Sequence, residues 1–118
     1  PITSKEVLFN PNTPKVIIDP EDFAIYFSRS PIPYLRSVEE NDWIGRHTFY
    51  QHIGIYGYRK TVLEKVTHLP PSLLERAESL EQLRWIENGF RIKTAVTTSD
   101  TFAIDTPDDL KKIPKTST

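Results

Sequence analysis

The apolar positions near the beginning of the chain predict two paired strands. Residues 15–19 include three consecutive β-branched side chains, and the turn-forming sequence Pro20-Glu21-Asp22 follows them. Residues 23–29 then alternate, with Phe23, Ile25 and Phe27 on one face. Because a tight turn joins the two stretches, the pattern predicts a β-hairpin.

Residues 49–58 also follow a two-residue period, and the two faces of the predicted strand differ. One face carries the two isoleucines of the segment and is typical of a core. The other carries His52, Tyr56 and Tyr58 around Gly54. A glycine inside a strand weakens it unless something must approach the backbone closely. The pattern therefore predicts a strand that presents polar side chains to a ligand.

Helical patterns occupy most of the remaining chain, and a strand is predicted at residues 90–97. A proline-rich loop or arm is expected from Pro31 to about Trp43. Mixed strands and helices indicate an α/β or α+β sheet layer. Four helices are predicted: a short one begun by Ser4 and ended by Asn10, one over 60–69, one over 72–88, and a last one capped by Thr106. The helix over 72–88 has a Ser72–Glu75 capping box, an apolar stripe of Leu73, Ala77 and Leu80, and a stop at Gly89.

Composition narrows the possible functions. The 118 residues suffice for one domain, and a net charge of −1 gives no general attraction to nucleic acid or to an anionic membrane. Without cysteine there is no disulfide or thiolate metal site, which fits a reducing, cytoplasmic compartment. No apolar run is long enough to span a bilayer. The absence of methionine suggests a piece of a longer polypeptide.

Two carboxylates are candidates for chemistry. Glu81 falls on the side of its predicted helix that otherwise looks buried, so it either pairs with Arg84 or points with Gln82 into a polar cleft. Asp105 stands one residue before a helix cap, as an alternative N-cap or as a metal ligand. Since Mg²⁺ usually takes one or two carboxylates together with phosphate oxygens, a lone aspartate is not a complete site.

Arg29 and Arg36 bracket the proline segment, where both could reach one carboxylate or phosphate, or could simply be solvated. His52 could be structural or ligand-binding. The chain contains no glycine-rich phosphate loop, no HExxH and no zinc-ligand spacing. These absences argue against a self-contained catalytic unit of the common kinds.

Five blocks in register carry a resemblance to a known family. They are FNPNTPKVIID, FAIYFSRSPIPYLR, QHIGIYGYR, SLLERAESLEQLRWIENG and AIDTPDDL. From about Glu6 to Ile113, the chain closely resembles the C-terminal half of the 3-deoxy-manno-octulosonate (Kdo) cytidylyltransferases. Two departures are Leu35, where many members have Asp, and a lack of the usual glycines before Asp105.

The resemblance implies a Rossmann-like nucleotide-diphospho-sugar transferase fold with a mixed sheet and flanking helices. It also implies a Mg²⁺-dependent, homodimeric enzyme that joins Kdo to CMP from CTP, with release of pyrophosphate, for lipopolysaccharide assembly. Residues 1–118 would be the sugar-acid-binding and dimerisation part, because the N-terminal CTP-binding signatures of the family are absent from this sequence. The fragment would then be inactive alone.

The resemblance also assigns roles to individual residues. Arg29 and Asp105 would be catalytic, and Asp105 would bind the metal. The sugar acid would be bound by Arg29, Arg36, His52, Tyr56, Glu81 and Gln82. The alternatives are a non-catalytic sugar-acid-binding or dimerisation module, and a cytidylyltransferase for another sugar acid such as a sialic acid. A nucleic-acid-binding role is disfavoured because the chain has no net basic field.

Overall fold

A computed structural model describes residues 1–99 and 107–112, apart from the side chain of Lys112. Its sheet confirms the predicted hairpin. Strand β1 (Lys15–Ile18) pairs antiparallel with β2 (Ala24–Ser28), with Val16 opposite Phe27. The short strand β3 (Tyr50–Gln51) pairs antiparallel with the other edge of β1, which gives the order β2-β1-β3.

The turn of this hairpin is built from its aspartates. Asp19 Oδ1 accepts hydrogen bonds of 2.9 Å from the backbone N–H groups of Glu21 and Phe23. Asp22 takes a left-handed backbone conformation with φ 66°. Aspartate tolerates this conformation better than most residues and bonds its local backbone readily, which is why the sequence predicts the turn well.

Five short α-helices accompany the sheet in the part of the chain that the structure describes. Ser4 caps the first of them through a bond from the Val7 N–H, as predicted, and the capping box between Ser72 and Glu75 is also present. Two 3₁₀ turns span Glu40–Asp42 and Asp109–Lys112. The helices are α1 (Lys5–Phe9), α2 (Trp43–Arg46), α3 (Lys60–Val66), α4 (Leu73–Glu78) and α5 (Gln82–Glu87).

The prediction of one helix over 72–88 is wrong, because the chain turns between α4 and α5. Ser79 adopts the left-handed conformation with φ 52°, which ends α4. The turn places Leu80 and Leu83 in the core against Val16 and Phe27, whereas Leu73 is 80% exposed. Burial of Leu80 and Leu83 against the sheet thus prevails over a continuous helix, and the predicted apolar stripe through Leu73 and Ala77 does not form.

Replacing Ser79 with glycine is expected to stabilise the fold by about 0.5–1 kcal/mol, because glycine adopts a left-handed backbone without the steric cost of Cβ. The matched control is Ala77→Gly within α4, which should destabilise by a similar amount. Urea denaturation of the two variants checks this. A loss of stability in Ser79→Gly would contradict it.

The strands predicted over 49–58 and 90–97 are mostly absent. Only β3 forms in the first segment, and the second makes a single isolated bridge between Phe23 and Lys93. Side-chain alternation predicts which faces a strand would have, but a strand also needs a neighbour for its backbone N–H and C=O groups. Among the described residues, no neighbouring strand pairs with the rest of either segment.

Among the described residues, two apolar clusters form the core. One joins α1 and α2 through Leu8, Trp43 and Phe49, and it holds Ile2 as well. The other lies between the sheet and α5 and contains Val16, Phe27, Leu80 and Leu83. The second cluster fixes the position of α5 against the sheet and therefore the position of every α5 side chain described below.

Candidate functional site

A wide cleft of about 1480 Å³ opens between the segment after β3 and the segment after α5. Its floor includes apolar side chains of the sheet, among them Val16 and Phe27. The polar and aromatic side chains on its wall include His52, Tyr56, Tyr58 and Trp85. Three of these four come from the single stretch QHIGIYGYR.

His52 and Tyr56 are joined by a short hydrogen bond, with 2.6 Å between Nε2 and the phenolic oxygen. Two contacts fix the histidine itself. Its backbone N–H donates to the Pro14 carbonyl at 2.9 Å, immediately before β1. Its ring lies edge-on to Phe27 of β2, with 4.8 Å between centroids. The sheet therefore holds the imidazole at the cleft wall although the predicted strand does not form around it.

Two residues of α5, Gln82 and Trp85, pack against His52, Tyr56 and Tyr58 and complete a cluster of five side chains, here called the wall cluster. Gln82 Nε2 lies 3.4 Å from His52 Nδ1, on the far side of the ring from Tyr56. Trp85, one turn further along the helix, packs edge-on to Tyr56 with 4.9 Å between centroids, and to Tyr58 with 5.6 Å. Sequence analysis missed Trp85. The signal was its spacing from Gln82, because residues three apart share a helix face.

The titratable side chains of the wall cluster, His52, Tyr56 and Tyr58, are uncharged near neutral pH. Burial lowers the pKa of His52, which keeps the imidazole uncharged. Burial raises the pKa of the Tyr56 phenol, and the nearby Tyr58 and Glu81 raise it further. The pKa of Tyr58 is raised by burial and by Glu81. His52, Tyr56 and Tyr58 therefore offer hydrogen-bond donors and acceptors, whereas the fixed charge of the cleft lining comes from Arg59, Arg91 and Lys93.

Glu81 and Gln82, which were predicted for the site, take different positions at the start of α5. Gln82 is only 7% exposed and contacts His52, whereas Glu81 is exposed just before the helix and contributes its negative charge beside the two phenols. Neither residue is among the described residues that line the cleft. The alternative ion pair between Glu81 and Arg84 is wrong, because Arg84 binds both carboxylate oxygens of Glu75 at 2.6 and 2.7 Å.

Arg29 lies outside the cleft lining and is engaged with main-chain carbonyls. Its Nε donates to the Glu78 carbonyl at 2.6 Å, Nη1 to Pro11 at 2.9 Å and Nη2 to Ser79 at 3.0 Å. Its guanidinium thus caps the C-terminal end of α4. Arg36 is exposed and also lies outside the described lining. The structure therefore does not bring the two arginines together with His52 and Tyr56.

Glu78 is an organising residue that sequence analysis missed. Its Oε1 accepts hydrogen bonds from the Ser28 hydroxyl at 2.6 Å and the Arg29 N–H at 2.8 Å, and Oε2 accepts from the Tyr26 hydroxyl at 2.9 Å. All three donors lie on or directly after β2. The carboxylate therefore ties the end of α4, and with it the start of α5, to the edge of the sheet.

Asp105, the predicted metal ligand, lies outside the described residues. Within residues 1–99 and 107–112, no group of three or more acidic or histidine side chains is arranged to hold a metal ion. None of the helices in these same ranges is long and apolar enough to cross a membrane.

Comparisons with known proteins agree with the resemblance. A sequence model of the family described as cytidylyltransferase matches residues 1–96. The 3-deoxy-manno-octulosonate cytidylyltransferase of Cytophaga hutchinsonii is 56% identical over 117 residues, which are 98% of this chain and 47% of that protein. The enzyme of the same name from Porphyromonas gingivalis is 57% identical over 109 residues, 92% of this chain and 43% of its own length.

A solved structure shows the fold. It is a CMP:2-keto-3-deoxy-manno-octonic acid synthetase complexed with CTP, with a TM-score of 0.80 and 40% identity over 92% of this chain and 43% of that one. The expected α/β nucleotidyltransferase-type fold is thereby confirmed, although the three described strands are all antiparallel. The chain spans about half the length of the curated relatives it matches. It belongs to the cytidylyltransferase family.

Proposed function

We propose that this chain supplies the sugar-acid-binding part of an enzyme that transfers CMP from CTP to Kdo and releases pyrophosphate. The observation that carries the proposal is the hydrogen-bonded pair of His52 and Tyr56 on the cleft wall. The chain that holds this pair is 56% identical to a relative named 3-deoxy-manno-octulosonate cytidylyltransferase. A neutral imidazole and a phenol suit the hydroxyl and carboxylate oxygens of a sugar acid, because both side chains form directional hydrogen bonds. Lipopolysaccharide assembly is the role that the resemblance assigns to the product.

The transfer is a phosphoryl-transfer reaction. The anomeric hydroxyl oxygen of Kdo forms a bond to the α-phosphorus of CTP and loses its proton, while the bond from that phosphorus to the leaving pyrophosphate breaks in line. Such reactions depend mainly on positioning and on neutralising charge. His52 and Tyr56 would hold the sugar acid in the orientation that this attack requires.

Mg²⁺ and Asp105 belong to the same proposal. A carboxylate oxygen is a suitable ligand for Mg²⁺, which would offset charge on the phosphates. Since the described residues provide no cluster of ligands, the other groups around the ion would come from outside them. A homodimer in the cytoplasm is likewise proposed from the family.

The function can be tested with a chimera in which this chain replaces the matching 117 residues of the Cytophaga hutchinsonii relative. With CTP, Mg²⁺ and Kdo, the chimera should release pyrophosphate, and a chelator should stop the reaction. The 118-residue chain alone should release none. Turnover with a sialic acid in place of Kdo would identify a different substrate, and an inactive chimera that is folded would contradict the proposal.

A further inference from the structure

The sequence contains one asparagine that is followed by glycine, Asn88-Gly89, and this pair lies at the end of α5. An asparagine side chain reaches its own backbone easily, and a glycine after it has no Cβ to hinder the contact. The other three asparagines precede proline, threonine or aspartate. Both residues of the pair are exposed, so water reaches them. Asn88 is therefore the asparagine of this chain best placed for an attack on its own side chain.

The reaction that this pair favours is deamidation. The Gly89 backbone nitrogen loses its proton and forms a bond to the side-chain carbonyl carbon of Asn88. The bond from that carbon to Nδ2 breaks, and ammonia leaves with the proton that Gly89 gave up. Water then opens the five-membered imide at either of its two carbonyl carbons. The product is aspartate, or isoaspartate when the main chain continues through the former side chain, and water is the only co-reactant.

The folded end of α5 keeps the two reacting groups apart. At ψ 14°, Asn88 turns the Gly89 nitrogen away from Cβ, so the ring cannot close without a backbone rotation. The Gly89 N–H donates to the Ile86 carbonyl at 3.0 Å, which favours retention of the proton on the attacking nitrogen. The leaving group is also held, because Nδ2 donates to the Arg84 carbonyl at 2.7 Å. Deamidation therefore requires that this turn open.

We propose that Asn88 is a spontaneous modification site whose deamidation is controlled by opening of the last turn of α5. The same turn includes the hydrogen bond from the Phe90 N–H to the Trp85 carbonyl, at 3.0 Å. Packing of Ile86 against the apolar cluster between the sheet and α5 opposes the opening. Because opening at an exposed helix end costs less free energy than global unfolding, it occurs within the native state.

The modification weakens the turn that protects Asn88. A carboxylate at this position cannot donate to the Arg84 carbonyl, and its negative charge lies beside the free carbonyl groups at the end of α5. Isoaspartate also adds a carbon atom to the main chain between α5 and Phe90, which lines the cleft. The end of α5 is therefore more open after the reaction than before it.

Mass spectrometry of the 118-residue chain, incubated at mildly alkaline pH, tests the proposal. In guanidinium chloride, the mass change from amide to acid should appear first in the peptide that holds Asn88. In native buffer the same conversion should be at least about tenfold slower. Equal rates in the two solvents would overturn the proposal, and so would earlier conversion of another asparagine in the unfolded chain.

Two alanine variants test the link to the helix end. Ile86→Ala removes packing of α5 on the core and should speed the conversion in native buffer about tenfold. Leu63→Ala, at a position of α3 that is 42% exposed, should leave the rate unchanged. A folded Ile86→Ala chain with the wild-type rate would contradict control by α5. The comparison of solvents on the wild type decides the proposal even if this variant does not fold.

The effect of the product is measured by hydrogen exchange on Asn88→Asp, which reproduces the aspartate form. The backbone amides of Gly89 and Phe90 should exchange about tenfold faster than in the wild type. Asn12→Asp, the same change at an exposed asparagine in the turn after α1, should not alter their exchange. Unchanged exchange in Asn88→Asp would contradict the weakening of the turn.

Discussion

Replacing Glu78 with alanine is expected to lower the free energy of unfolding by about 2–3 kcal/mol. The change removes the acceptor of three donors, which are the Ser28 hydroxyl, the Arg29 N–H and the Tyr26 hydroxyl. Ser28 is only 5% exposed, so water cannot readily replace the lost acceptor there. Buried donors left without an acceptor cost about 1–3 kcal/mol each, and partial exposure reduces the sum. Urea denaturation followed by circular dichroism measures the effect.

The contribution of Glu78 should also depend on pH. Burial by itself would raise the pKa of this carboxyl, but hydrogen bonds from Ser28, Arg29 and Tyr26 outweigh it and hold the pKa below the ordinary value of 4.5. A carboxyl with a depressed pKa in the folded state stabilises the fold above its unfolded pKa and loses this effect as the pH falls through the folded value. The stability difference between wild type and Glu78→Gln should therefore shrink below about pH 4.5.

The matched control for this experiment is Glu64→Gln, the same change at an exposed position of α3. It should alter stability by less than about 0.5 kcal/mol. Equal effects of the two substitutions at neutral pH would contradict the account of Glu78 as the tie between α4 and β2.

Replacing His52 with alanine in the chimera is expected to reduce kcat/KM for Kdo by about 10- to 100-fold and to leave KM for CTP unchanged. The change removes the partner of both Tyr56 and Gln82, so the Tyr56 hydroxyl loses its fixed orientation. One or two lost hydrogen bonds correspond to such a factor. Steady-state pyrophosphate release with either substrate varied provides the measurement.

The control for His52 is His68→Ala, at an exposed histidine just after α3 whose ring contacts the Glu64 carbonyl of that helix. This variant should keep the kinetic constants of the chimera. If the His52→Ala chimera kept an unchanged kcat/KM for Kdo, the cleft wall would not be part of the sugar-acid site. If only the apparent affinity for CTP fell, the wall would bind the nucleotide instead of the sugar acid.

The features that sequence analysis predicts correctly are those set by local chemistry. The Asp19 turn, the Ser4 cap and the Ser72 capping box each depend on side chains bonding backbone within a few residues. The positive φ of 81° at Gly89 follows the same logic, because glycine adopts it readily at a helix end. Such signals lie within one short window of sequence.

The features that were mispredicted depend on partners distant in sequence. The break at Ser79 follows from the fit of Leu80 and Leu83 against the sheet, and the helical period of 72–88 carries no sign of it. The segments 49–58 and 90–97 have strand-like alternation, but whether they form strands along their whole length depends on a neighbour that the pattern cannot reveal. Tertiary context decided both outcomes.

In the candidate site, too, the sequence predicted what depends on neighbouring residues and failed where the outcome depends on distant ones. The prediction that His52, Tyr56 and Tyr58 share a face gathered residues that the structure does place together, although without a strand. Arg29 was predicted to face the sugar acid, but its guanidinium binds carbonyls, and two of its three hydrogen bonds depend on the turn after α4, which the sequence did not predict. One set of roles stays a prediction, namely the action on a substrate of Arg29, Arg36, His52, Tyr56, Glu81, Gln82 and Asp105.

The central claim, that the wall formed by His52 and Tyr56 binds the sugar acid, is tested most directly by calorimetric titration of the chimera with Kdo. Tyr56→Phe removes only a hydroxyl and should weaken Kdo binding about tenfold. Tyr34→Phe, the same change on a ring that is 77% exposed, should not alter binding. Equal dissociation constants for wild type and Tyr56→Phe would contradict the claim.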